Sequence, residues 1–145
     1  MQPMDPNRTF PARNDGTNGV SFLRGSVNYN DATIATGFQV GTLPQYAFIL
    51  DVDIDVEVVF NAVTTNVLTF GTTLANANEI VNAADVSEAG VADTIVVRGR
   101  GRSLTASGDV AVYAKFTQTG TPATTGKAHF CITFALPNSS NVASP

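Results

Sequence analysis

At 145 residues the chain has the length of one domain with a real core, and is too short for separate catalytic and regulatory units. Its 17 Val, 6 Ile and 18 Thr against seven Leu favour pleated strands over helices. Eight Lys+Arg against twelve Asp+Glu leave a net charge of -4, which argues against the broad phosphate-neutralising surface of a general nucleic-acid binder.

Residues 1–19, MQPMDPNRTFPARNDGTNG, combine three Pro, three Asn and two Gly with mixed charges and no hydrophobic period, so they are expected to form an extended arm outside the core. They also lack the apolar run and cleavage pattern of a signal peptide, and no window approaches the ~18 consecutive apolar residues of a membrane span. A soluble protein made in a cytoplasm is expected. From Val20, VSFLRGSVNY and TIATGFQVGTL are predicted strands, and Pro44 marks a turn into FILDVDIDVEVVF. The next stretch, FNAVTTNVLTFGTT, is predicted to close a hairpin, with Leu68 and Phe70 returning on one face. Residues 75–93 are Ala-rich; Ile80, Ala83 and Ala84 allow one or two helical turns, with loop for the remainder. TIVVRGRGRSL, GDVAVYAKFTQTG and AHFCITFAL then supply the last strands, with Val110, Val112, Ala114 and Phe116 on one face and Phe130, Ile132, Phe134 and Leu136 on another. Seven or eight short strands separated by turn residues predict an all-β fold, a β-sandwich of jelly-roll type over residues 20–138, followed by a flexible tail at 139–145. No fixed-period repeat points to a propeller or solenoid.

The strand at 48–60 poses the main chemical question, because Asp51, Asp53, Asp55 and Glu57 occupy alternate positions. Alternation places Val52, Ile54, Val56, Val58 and Phe60 on the core side and the four acids on the other. Same-face neighbours lie about 6.8 Å apart, where two like charges repel by about 0.6 kcal/mol in water and about 2.5 kcal/mol at an effective dielectric of 20. A solvated row is therefore tolerable and a covered row needs cations. Arg98, Arg100 and Arg102 alternate in the same way and form a candidate complementary row across strands or subunits. Calcium is a third solution, since clustered carboxylates suit hard cations, but acids on one straight strand cannot surround an ion and no EF-hand glycine loop is present.

Catalytic constellations are weak. Paired-carboxylate hydrolysis needs two acids facing each other across a cleft. His129 and Cys131, at i and i+2, are too few for a zinc site and too close on one strand to form an aligned nucleophilic dyad. A packed or interface pair is expected there. RGRGR is one short arginine-glycine instance in an acidic chain, which fits a strand edge or subunit contact. Cys131 is the single cysteine, so stability must come from packing or association without an intramolecular disulfide.

GTLPQYAFILDVDIDVEVVFNAVTTNVLTFGTT, the following AADV and the closing GKAHFCITFALPN resemble, over residues 37–138, the capsid decoration or cement proteins of tailed bacteriophages. There a Leu-Pro turn leads into a long strand, then an FNA…TN.LT.GT hairpin, then a C-terminal hairpin. The resemblance carries no catalytic signature. It implies a β-sandwich homotrimer on the outer surface of a virion shell, with the major capsid protein as partner and no enzymatic activity, cofactor, nucleic acid or membrane. The expected contact residues are Arg8, Phe10 and Arg13 in the arm, Asp51, Asp53, Asp55 and Glu57, and Arg98, Arg100 and Arg102. The acidic strand and the long arm depart from the family pattern. A head-fibre or tail-associated β-domain binding a host glycan is the alternative, lowered by the absence of Trp and the presence of only Tyr29, Tyr46 and Tyr113.

Overall fold

A computed structural model describes residues 20–45, 47–75, 77–86, 88, 94–96 and 108–135; the predicted arm and tail, and the arginines at 98, 100 and 102, lie outside these. The described residues form seven strands: β1 Val20–Asn28, β2 Phe38–Leu43, β3 Phe48–Val58, β4 Thr65–Gly71, β5 Thr94–Val96, β6 Val110–Thr119 and β7 Lys127–Ala135. They form an antiparallel four-stranded sheet of order β1-β7-β3-β5 and an antiparallel three-stranded sheet of order β2-β6-β4. Consecutive strands alternate between the sheets, so no two strands adjacent in sequence pair with each other. The fold is an all-β sandwich, as the β-branched composition predicted.

Its core is the two inner faces. Val52, Ile54 and Val56 of β3 alternate inward beside Ala128, Phe130, Ile132 and Phe134 of β7, and meet Val112, Ala114 and Phe116 of β6 and Leu68 and Phe70 of β4. Burial of such side chains is worth roughly 1.5–3 kcal/mol each, which fixes the register. Two aromatic pairs help fill the interior, Phe70–Phe130 from opposite sheets at 5.2 Å between centroids and Phe60–Phe116 at 4.7 Å.

Four local expectations are corrected. The chain from β3 to β4 is no hairpin but a crossing between sheets. Phe60 turns inward midway and is buried, while Asn61 Oδ1 accepts from the Thr124 and Thr125 N–H groups and holds the crossing to the β6–β7 connection. The β6–β7 hairpin is likewise replaced by a crossing, with β6 central in the smaller sheet and β7 between β1 and β3 in the larger. Val58 is 40% exposed, because the β3–β7 register shifts between Val56 and Val58 and carries it out of the core row. Residues 33–37, expected at the start of a strand, form turns, with Thr33 at φ 66°.

No helix occurs among the described residues; at 80–84, Ile80 is buried while Ala83 and Ala84 are exposed. This connection instead covers the free edge of β4. The N–H groups of Leu68, Phe70 and Thr72, which point to that edge, donate respectively to Glu88 Oε1 (2.5 Å), the Val81 carbonyl (3.0 Å) and Glu79 Oε2 (2.9 Å). Two carboxylates and one carbonyl thus stand where a neighbouring strand's acceptors would be, a device that protects an edge from wrong pairing. Gly71 is required there: a Cβ would lie 2.6 Å from the Asn78 nitrogen and 2.7 Å from the Ala77 carbonyl carbon, both backbone.

Glu88 is buried, and desolvation raises its pKa above the usual carboxylate range, opposed by the Leu68 N–H and its own backbone. A raised folded-state pKa contributes stability below the unfolded value and loses it as pH rises through the folded value. Glu88→Gln, which keeps the acceptor and removes the charge, should therefore match the wild type in acid and exceed it near neutral pH in denaturant midpoint. Glu88→Ala, which strands the Leu68 N–H, should lose about 1–3 kcal/mol. A Gln variant less stable than wild type at every pH would contradict this account of the edge.

Candidate functional site

The register of the four-stranded sheet assembles its outer face row by row. Val20, Ala135 and Phe48 form one row across β1, β7 and β3; Phe22, Thr133 and Asp51 form the next; then Arg24, Cys131 and Asp53; then Ser26, His129 and Asp55. Glu57 and Lys127 follow at the bulge. The face thus has an apolar end, with Val20, Phe22, Phe48 and Leu50 all exposed, and a charged remainder. Arg24, Gly25, Ser26, Asp53, Asp55, His129, Phe130 and Cys131 line an open depression in the charged part.

Within this face the acids are not equivalent. Glu57 Oε2 accepts from Lys127 Nζ at 2.7 Å and meets His129 Nε2 at 2.5 Å. Lys127 first and His129 second hold its carboxyl below the usual carboxylate range. Asp51 turns back on its own strand, its Oδ1 accepting from the Val52 N–H. Asp53 and Asp55 have no hydrogen bond or ion pair with any described residue; by register Asp55 stands opposite His129, and the nearest cation to Asp53 is Arg24, one strand beyond Cys131. All four acids share the outward side, as alternation predicted, but the cations the described residues bring to them are Lys127, His129 and Arg24. Arg8, Phe10, Arg13, Arg98, Arg100 and Arg102 lie outside the described residues.

Chemically the face combines an apolar end with a row of carboxylates. His129 and Cys131 do share it, but the imidazole is engaged by Glu57. Asp53 and Asp55 stand side by side on one strand, and among the described residues no acid faces them across a cleft as paired-carboxylate chemistry requires. Among the described residues no group of three or more His, Cys, Asp or Glu is disposed to hold a metal ion. The sequence signal missed here is the outward placement of Phe22 and Phe48, visible only once the strands are paired. Glu79 and Glu88 offered no signal at all, being isolated acids in an Ala-rich connection.

No protein-family model matches the chain, and neither does any curated protein. Solved structures do match. One is a chain of the cyanophage Pam1 capsid asymmetric unit, 25% identical with a TM-score of 0.66 over 93% of this chain and 98% of that one. The chain shares its fold with chains of phage capsids. The capsid of Ralstonia phage GP4 supplies a second likeness, 19% identical with a TM-score of 0.57 over 92% and 94% of the two chains. The acidic stable capsid of Helicobacter pylori bacteriophage KHP30 supplies another, 17% identical with a TM-score of 0.55 over 82% and 89%. At those identities the last two speak to fold alone.

The Glu57 cluster generates a pH test. A lowered folded-state pKa contributes stability above the unfolded value, lost as pH falls through the folded value. Glu57→Gln should therefore lower the melting temperature slightly at neutral pH, and the difference from wild type should vanish in acid. A difference that stays constant with pH would remove the ion pairs from the account.

Proposed function

We propose that the chain is a structural protein of a phage virion, and specifically a decoration or cement protein that binds the shell of the major capsid protein from outside and stabilises it. The observation that carries this is the likeness to a chain of the Pam1 capsid asymmetric unit over nearly the full length of both chains. The contact chemistry of the outer face supports a binding role without catalysis. The strand order supports the jelly-roll form of the sandwich: sheets β1-β7-β3-β5 and β2-β6-β4 alternate along the chain, and the Phe70–Val81 bridge stands where an eighth strand would complete the smaller sheet.

In this function the protein acts as a homotrimer. Repeated modest contacts on a closed shell gain strength through avidity, so a small sandwich suffices. Arg98, Arg100 and Arg102 follow the last residue of β5 in sequence, and β5 borders the acidic strand, which suits them to contacts with a neighbouring protein surface. The glycan alternative gains nothing, since Tyr29 packs against the core and Tyr113 is half-buried.

The test is binding to assembled, empty shells that lack the protein. The purified chain should co-sediment with them and raise the temperature at which they break. Alone it should sediment at about three times the 15.1 kDa chain mass. Failure to bind shells of its own phage would overturn the decoration role, and a strictly monomeric species at high concentration would overturn the trimer.

A further inference from the structure

We propose that the free edge of β1 takes up an extended segment of the shell protein as an added strand, with an apolar side chain of that segment beside Phe22 and a carboxylate beside Arg24; this rests on the decoration role. The β1–β7 register fixes which backbone groups are available. The Tyr29 N–H donates to the Gly126 carbonyl at 3.0 Å, one step past the Asn28–Lys127 pair, and that sets the phase of the ladder. Ser21, Leu23, Gly25 and Val27 therefore turn their N–H and carbonyl groups to β7, while Phe22, Arg24 and Ser26 turn theirs away from the sheet. These outward groups have no partner among the described residues. The row stops at Asn28, whose N–H donates to Asp31 Oδ2 at 2.7 Å and whose carbonyl accepts from the Asp31 N–H at 3.2 Å.

The other edges of the sandwich are guarded. β4 is covered by Glu79, Val81 and Glu88. β2 shifts register between Gln39 and Gly41, and β5 is three residues long; a bulge and a short length both blunt an edge. β1 has none of these devices. Its nine residues, VSFLRGSVN, pair with β7 without a register shift and contain no Pro or Lys. Such an edge is a template for an extended chain, with main-chain bonds giving affinity and alternate side chains giving specificity.

The flanking side chains say what the added strand carries. On the outer face of β1, Phe22 is 61% exposed and Val20 54%, and their rows lead through β7 to the exposed Phe48 and Leu50 of β3. An apolar residue facing Phe22 extends this patch and removes it from water. Arg24, exposed two positions on, has no ion pair with any described residue, so a carboxylate facing it completes a cross-strand pair. A second copy of β1 is the poorer occupant, because two copies joined antiparallel through this edge are related by a twofold axis, which a homotrimer lacks.

The test compares amide hydrogen exchange in the free protein and in protein bound to empty shells of its own phage, read residue by residue by mass spectrometry after quenching. In the free protein the N–H groups of Phe22, Arg24 and Ser26 should exchange fast and those of Leu23 and Gly25 slowly. On shells the first three should slow by about a hundredfold or more, since exchange follows the opening of the bonded state. Ser26→Pro removes one outward donor and leaves the bonds to β7 in place, and an edge strand tolerates proline there. It should weaken co-sedimentation with shells by about tenfold, while Ser26→Ala, which keeps the N–H, should bind like the wild type. Shell-bound protein whose Phe22, Arg24 and Ser26 amides still exchange fast would overturn the added strand and leave the decoration role standing. Protection of all three in the free protein would overturn it too, assigning the edge to a second copy where protection fades on dilution and to the chain's own residues where it does not. Wild-type protein that does not bind shells would remove the decoration role and the added strand together.

Discussion

The pairing of β3 with β7 is the constraint from which the rest of the molecule follows. Val52, Ile54 and Val56 can be buried only if they alternate inward beside Phe130 and Ile132, and that single requirement sends Asp51, Asp53 and Asp55 outward together. Slipping the register by one residue would bury three carboxylates and expose the apolar row. The repulsion within the acid row is small in water compared with that burial, so the core decides and the surface accommodates it. The bulge at the end of β3 then changes the local geometry, bringing Glu57 to Lys127 and His129 and taking Val58 out of the core.

The same economy of acceptors appears at the other sheet. β4 is an edge strand, and an unpaired edge invites association with any extended chain. Here the 72–88 connection occupies it, using Glu79, Val81 and Glu88 as a substitute strand while Val81 and Ile80 add to the core. A buried carboxylate is a costly acceptor, and its raised pKa records that cost. The two sheets therefore present different surfaces: one edge closed by the chain itself, and one broad face left apolar at one end and acidic along its middle.

Much of this is legible in the order of the amino acids. Alternation in 48–57, 110–116 and 128–134 points to the class, most of the core and the side on which the acids lie. The pairing partners are not legible there, because alternation states which side chains share a face and says nothing about which strand lies beside it. Residues 56–70 show the difference: their apolar spacing suits a hairpin as well as a crossing, and the choice turns on Phe60 finding Phe116 and Asn61 finding the β6–β7 connection. The isolated residues that matter most at a distance, Glu88 at Leu68 and Lys127 at Glu57, are separated by 20 and 70 positions and leave no local trace.

A two-layered sandwich with one strongly featured face is well suited to a flat protein surface, and the likeness to a chain of a phage capsid asymmetric unit points to a shell as that surface. The most direct test is a three-dimensional map of shells assembled with the protein present, compared with shells lacking it. The account predicts added two-layered β density on the outside of the shell, one sandwich per chain and three copies around each occupied axis. Difference density on the inside of the shell, or none, would contradict it.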